Sequence, residues 1–288
     1  MGVSVAAELI HIVGAKMKQP EEIKLEVKER FSNLSGTYDQ ITFLKQITMR
    51  LVEQIHLKSG DAVLDIATGT GAAAIAAAQI VGEKGKVVGV DLSPAMLKHA
   101  RRKINEARLH NVEVYEGDAE HLDFPDSVFD HVVCSLGLFF MPDMIAALSE
   151  WQRVLKPGGS IGFSSFGAGL FEPLIELWIN RLKQYGLMPA SLPVKRLETP
   201  ADCQAVLRGS GFSKIEVQFE QLGHFIPTVS ERWNDIVTGL EGEPLKQLTP
   251  VLRNQIEKEH MEELMAFMAP EGLFVSIPAL FSWGWKSG

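Results

Sequence analysis

The stretch Val63-Leu-Asp-Ile-Ala-Thr-Gly-Thr-Gly71-Ala-Ala-Ala constrains this chain more than any other. A short apolar run, which reads as a buried strand, passes directly into a turn with two glycines, and the turn passes directly into an alanine-rich helix. Glycine has no Cβ, so backbone N–H groups at such a helix start are free to approach a ligand closely. A strand that is apolar on both faces also needs neighbours on both sides and helices above and below.

The flanking sequence supplies them. Alternating short apolar runs and helical periodicities predict strands at 62–66, 86–91, 112–116, 129–135 and 160–165, with helices at 72–81, 94–107 and 141–154. Lys156-Pro-Gly-Gly159 reads as a turn between the last helix and strand. Upstream, helical patterns cover 3–17, the segment from Pro20 to Lys28, and 42–55. Downstream of a pivot at Gly167 to Gly169, helices are expected at 172–185, up to Gly209, at 230–240 and at 245–268, with strands near 214–220 and 273–285. The predicted fold is α/β: a Rossmann-like, doubly wound, mostly parallel sheet with N-terminal helices and a helical cap inserted near the C-terminal strands. Residues 1–57 read as a helical lid, 58–166 as the ligand-binding core, and 167–288 as the last sheet strands with the cap.

Bulk properties narrow the function. With 46% hydrophobic and 22% charged residues, the whole chain is expected to fold. A net charge of -8 offers no attraction to phosphate backbones, so nucleic acid is not an expected partner. The basic cluster Lys98, Arg101, Arg102 and Lys103 lies on a helical pattern and reads as a solvated face. Cys134 and Cys203 have no CxxC spacing, so no disulfide framework or metal site is indicated, and Cys134 reads as a buried small hydrophobe. No run approaches a membrane span, and Glu8 and His11 interrupt the apolar N-terminus, so a cytoplasmic protein is expected. Oligomeric state stays open, a homodimer included.

The glycine turn by itself is ambiguous. Asp91 ends the second strand 20 residues after Gly71, where a carboxylate can accept from both ribose hydroxyls. Yet Gly69-x-Gly71-x-x-Ala74 also satisfies the dinucleotide fingerprint of an NAD(P)-dependent oxidoreductase. Three features favour another nucleoside. Asp65 is poorly placed beside a pyrophosphate but well placed near a ligand's ammonium group, or else braces the turn. About sixty residues precede the turn, whereas dinucleotide domains usually open a chain. Gly117-Asp-Ala-Glu follows the third strand, where a polar side chain can meet an adenine amino group.

Taken together, these segments resemble the class I S-adenosylmethionine-dependent methyltransferases, especially the ubiquinone and menaquinone biosynthesis methyltransferase-like branch. Residues 63–71 are similar to its first motif, and Val88-Gly-Val-Asp-Leu-Ser-Pro-Ala-Met-Leu97 to its ribose-binding segment. The run 117–130 is similar to the adenine-contacting stretch, Arg153-Val-Leu-Lys-Pro-Gly-Gly159 to the turn before the fifth strand, and 31–39 to the helix and Tyr-Asp pair upstream. The likeness covers about residues 30–166. It implies S-adenosylmethionine as cofactor, with Asp91 on the ribose, Asp118 and Ala119 by the adenine, Leu92 and Met96 packed on it, and Ala67, Gly69 and Gly71 under the methionine part. Tyr38 and Asp65 would complete that end, with Ser135 and Leu136 near the transferable methyl.

The implied reaction is methyl transfer to a small, largely apolar acceptor of natural-product, phenol or quinone type. Beyond residue 166 the chain departs from the quinone enzymes, which puts a quinone itself in doubt. Displacement at a sulfonium needs alignment and a dry cleft rather than an obligatory catalytic group. For a hydroxyl acceptor a histidine base is useful, and His224 is the first candidate, ahead of His11 and His260. Leu136, Phe139, Phe140, Phe166, Trp178 and Trp233 are the candidate acceptor lining, and Met141, Phe171, Met265 and Phe267 offer similar surface. An oxidoreductase, and a protein that binds S-adenosylmethionine without transferring its methyl group, are the competing readings.

Overall fold

In the computed structural model, which describes residues 18–189 and 193–288, two helices lead in. They are α1 (Pro20–Leu34) and α2 (Thr42–Gln54), joined through a 3-10 turn at Tyr38–Gln40. The alternating half follows as β1 (Ala62–Ile66), α3 (Ala72–Val81), β2 (Lys86–Asp91), α4 (Pro94–Glu106), β3 (Val112–Glu116), β4 (Phe129–Ser135), α5 (Met144–Val154) and β5 (Leu155–Phe166). The last part holds α6 (Leu174–Gln184), α7 (Pro200–Gly209), β6 (Ser213–Gln221), β7 (His224–Ile226), α8 (Val229–Thr238) and α9 (Pro250–Met265). It closes with β8 (Met268–Ala269), β9 (Gly272–Val275) and β10 (Pro278–Trp285). The expected helix at 3–17, and with it His11, lies outside the described residues.

Seven strands pair in the order β3-β2-β1-β4-β5-β10-β6. β1 to β5 run parallel, and β10 is antiparallel to both β5 and β6. The order reverses between β1 and β4, which opens a crevice at the carboxyl ends of the strands, where ligands bind in sheets of this kind. The reversed β10 also separates this sheet from the usual dinucleotide order, in which a sixth parallel strand follows the fifth. Val63 and Leu64 are neighbours in β1 with opposite facings, and both are fully buried, so helices cover both sides of the sheet.

Helix faces follow the same logic. Met96, Leu97, Ala100 and Ile104 form the buried stripe of α4, and Arg101 and Arg102 point to solvent. Lys98 is exposed with them, but Lys103 of the same cluster is half-buried and pairs with Asp39 at 2.9 Å, so the solvated face is Lys98, Arg101 and Arg102. Cys134 and Cys203 are free and buried, and burial pushes both thiols up, away from reactivity.

Several boundaries differ from the sequence expectations. The turn at 156–159 is drawn into the irregular start of β5, where Gly158 takes a φ of +77°. The long helix expected at 245–268 begins only at Pro250, capped by Thr249, and a 3-10 segment at Leu240–Gln247 precedes it. The single strand expected at 273–285 is two, because Leu222 N and Gln221 Oε1 engage Ile277 and Pro278 then opens β10. α8 and α9 form the insertion between β6 and β10 and share a small core with α6, made of Trp178, Leu182, Trp233, Ile236, Leu245 and Ile256. No helix among the described residues is long and apolar enough to cross a membrane.

Candidate functional site

The segments that leave β1, β2 and β4 line a cleft covered from above by Lys24, Val27, Lys28 and Phe31 of α1. Asp91 stands at its centre. Its Oδ2 accepts from Gly69 N at 2.8 Å and its Oδ1 from Ser93 N at 2.8 Å. Each carboxylate oxygen therefore has one backbone donor and keeps acceptor capacity for a ligand. Burial raises the Asp91 pKa, and those two N–H donors oppose the shift. A carboxylate held this way, facing a cleft at a strand end, suits the paired hydroxyls of a ribose.

Gly69 lines the cleft with a φ of +55°, and Ala67 beside it holds a φ of +53° with a side chain. Leu136, just after β4, does the same at +55°. Left-handed backbone at non-glycine residues is costly and tends to collect at functional sites. Here it sits on both sides of one crevice.

Two of the expected cofactor residues lie elsewhere. Asp65 is 1% exposed and outside the cleft lining, accepting from Thr68 Oγ1 at 2.6 Å and Ala74 N at 2.9 Å. It braces the turn from beneath, and burial pushes its carboxyl up to about 7 against the pull of those two donors. Gly71 is also absent from the lining. Its φ of +83° and an Ala100 Cβ only 3.1 Å from where its own Cβ would lie show a glycine required by turn geometry and helix packing.

The far end of the cleft gathers Leu92, Met96, Asp118 and Ala119. Trp151 Nε1 donates to Ala119 O at 2.7 Å, and Glu120 N donates to Asp118 Oδ1 at 2.9 Å, which fixes this loop. Lys24, which the sequence reading missed, reaches down from α1 to Asp118 at 2.7 Å and Glu120 at 2.5 Å. Burial alone would lower the Lys24 pKa, but the two carboxylates outweigh it and keep the ammonium charged. Lys24 was legible only as one of several charges on an acidic and basic helix. At the other end, Ser135 Oγ lies 2.8 Å from Thr48 Oγ1 and 3.2 Å from Ser164 Oγ.

A second cavity adjoins the first, and the two share Phe31, Tyr38, Leu136 and Phe140. Phe139, Phe166, Phe43 and Phe171 extend its wall; Phe31 meets Phe140 edge to face at 5.1 Å, and Phe43 meets Phe171 at 5.4 Å. Tyr38 stands between the two spaces. Burial, with the nearby Asp91, Asp39 and Asp65 charges, holds its phenol neutral.

The remaining acceptor candidates are displaced. Trp178 and Trp233 line neither cavity; they pack edge to face at 5.9 Å in the helical core, with His260 5.0 Å from Trp178. His224 starts β7, opposite Val275, and likewise lines neither cavity. Met265 and Phe267 are exposed at the end of α9. In their place α8 presents Arg232 and Asp235 to the second cavity, one position before and two positions after Trp233. A spacing of three along α8 was the available signal, and the aromatic neighbour drew the reading instead.

Comparison with known proteins agrees with this geometry. A family model described as a methyltransferase domain matches residues 63–159. Aklanonic acid methyltransferase DauC of Streptomyces sp. (strain C5) is 33% identical over 220 residues, which are 71% of this chain and 100% of that protein. Demethylmenaquinone methyltransferase of Staphylococcus saprophyticus is 39% identical over 144 residues, 48% of this chain, and the match spans only 61% of that relative's length. Among solved structures, the YcgJ protein from Bacillus subtilis shares the fold with a TM-score of 0.57 at 22% identity, over 84% of this chain and 98% of that one.

Proposed function

The chain belongs to the class I S-adenosylmethionine-dependent methyltransferases, in the branch that holds the demethylmenaquinone and aklanonic acid enzymes, and from that premise we propose that it methylates a small, largely apolar acceptor seated in the second cavity. One observation carries the reading: a cleft built around a doubly braced carboxylate opens, through Tyr38, Leu136 and Phe140, into an aromatic-walled space. Oxygenated ring acceptors of quinone or polyketide type fit that wall, and the relatives named for demethylmenaquinone and aklanonic acid support the class. The net charge of -8 supports a small molecule over nucleic acid, and a cytoplasmic location accords with this role.

The residues present fit the cofactor. Asp91 would accept from the ribose hydroxyls, Leu92 and Met96 would pack on the adenine, Asp118 would accept from its amino group, and Gly69 and Ala67 would lie under the methionine part. When bound, S-adenosylmethionine supplies an electrophilic methyl group on a sulfonium whose charge disperses as it reacts. The protein's share is therefore exclusion of water and alignment. Phe31, Phe140 and Leu136 keep the junction apolar, and Tyr38 narrows it. Ser135, Thr48 and Ser164 satisfy one another, so the junction carries no strong nucleophile of its own.

Isothermal titration separates the cofactor classes: S-adenosylmethionine binding with no NADH binding is expected, and binding of NADH alone overturns the proposal. Transfer of labelled methyl to at least one member of a panel of phenols, hydroxyquinones and naphthols is the second expectation. Cofactor binding with transfer to none of them would favour a protein that uses the bound sulfonium otherwise.

A further inference from the structure

One edge of the second cavity is not apolar. Arg232 lines it at 2% exposure, with its guanidinium carbon 4.9 Å above the Phe171 ring and its Nη2 donating to Glu241 Oε1 at 2.6 Å. Its Nε, also buried, has no partner among the described residues. Three residues along the same helix, on the same face, Asp235 lines the cavity too, and its carboxyl takes no hydrogen bond from the described residues. An orphaned buried donor is destabilising, so a ligand that satisfies it is favoured. The stacking on Phe171 and the pair with Glu241 account for the guanidinium face and one nitrogen. They leave a donor and an acceptor side by side on a wall that, Glu241 apart, is largely apolar.

On the reading of this cavity as the acceptor site, we propose that Arg232 and Asp235 select the acceptor: the Arg232 guanidinium donates to a carbonyl oxygen on the ring system, and Asp235 accepts from a neighbouring hydroxyl. The ligand class is a neutral, planar hydroxyketone, with both groups on one edge and the apolar remainder against Phe139, Phe166 and Phe171. Charge excludes a free carboxylate from this edge. Glu241 already balances Arg232, and Asp235 adds a further negative charge, so an anion would be repelled. Burial pushes the Asp235 carboxyl up, above the opposing pull of Arg232, which makes it a strong acceptor for a hydroxyl proton. Both residues are specificity-determining; the reacting atom need not be the one they hold.

The test measures binding of five probes with one ring system to the full chain saturated with S-adenosylhomocysteine: naphthalene, naphthol, acetonaphthone, ortho-hydroxyacetonaphthone and naphthoic acid. The hydroxyketone should bind tightest, with each matched group adding about tenfold over naphthalene, and naphthoic acid should gain nothing. Asp235→Ala, at a partly exposed position, should erase the gain from the hydroxyl alone. Arg232→Met combined with Glu241→Gln, which avoids stranding the glutamate, should erase the gain from the carbonyl alone, and Glu241→Gln by itself should keep both. Naphthalene and S-adenosylhomocysteine affinities should not change in any variant. Equal binding of all five probes by the natural protein, or variants that retain its preferences, overturns the selection proposal and leaves the methyltransferase reading standing. Tight S-adenosylhomocysteine binding with no probe bound overturns the acceptor assignment of the cavity itself, and the selection proposal with it.

Discussion

The sheet half of this protein and its cap build ligand surfaces in different ways. Between β1 and β5 the site is made of backbone: strand ends, positive-φ turns and N–H groups place Asp91, Gly69, Ala67 and Leu136 through connections only a few residues long. After β5 the site is made of helix faces, and what reaches the cavity depends on how α8 is rolled against α6 and α9. Turn geometry is local and tolerates little change. A helix rolled by one residue exchanges Trp233 for Arg232.

The largest expected effect falls on the cap. Trp233→Ala removes a buried ring from the small helical core and should cost about 3–5 kcal/mol of stability in denaturant unfolding, with the S-adenosylmethionine affinity of the folded protein unchanged. Loss of cofactor affinity in a protein of wild-type stability would break the distinction and return Trp233 to the site. Asp91→Ala should do the converse, weakening cofactor binding by about 1–3 kcal/mol, read by titration calorimetry. Unchanged affinity would remove the ribose assignment.

A subtler difference separates the two aspartates of the sheet half. Asp65 has its folded pKa raised to about 7 from an ordinary 3.8, so between those values the folded state holds a proton that the unfolded state has released. Stability contributed by that proton is present below pH 3.8 and is lost as pH rises to about 7. Asp65→Asn keeps an oxygen for Thr68 and Ala74 and should flatten that decline; unfolding curves at several pH values for both proteins give the difference. Curves that stay parallel would show that Asp65 does not carry it. The smallest effect is expected at His224: because it lines neither cavity, His224→Ala should leave turnover and cofactor affinity unchanged, and a loss of turnover alone would restore it as a base.

What the sequence determined by itself was the sheet half. Alternating apolar runs and helices, the Gly69 and Gly71 turn, Asp91 at the end of its strand and the Gly117-Asp118-Ala119 loop all lie within segments whose conformation follows from neighbouring residues, and the structure brings most of them to one cleft. Within that half, only tertiary structure decided between bracing and binding for Asp65 and Gly71, since both uses need the same residue at the same turn. It also brought Lys24 onto Asp118, a contact spanning 94 positions that no local pattern encodes. In the cap, composition rightly announced an aromatic interior but could not divide it between core and cavity. A helix offers several faces, each apolar residue suits either environment, and the choice rests on packing against elements distant in the chain. That packing sends Trp178 and Trp233 into the helical core and leaves Arg232 and Asp235 at the cavity wall.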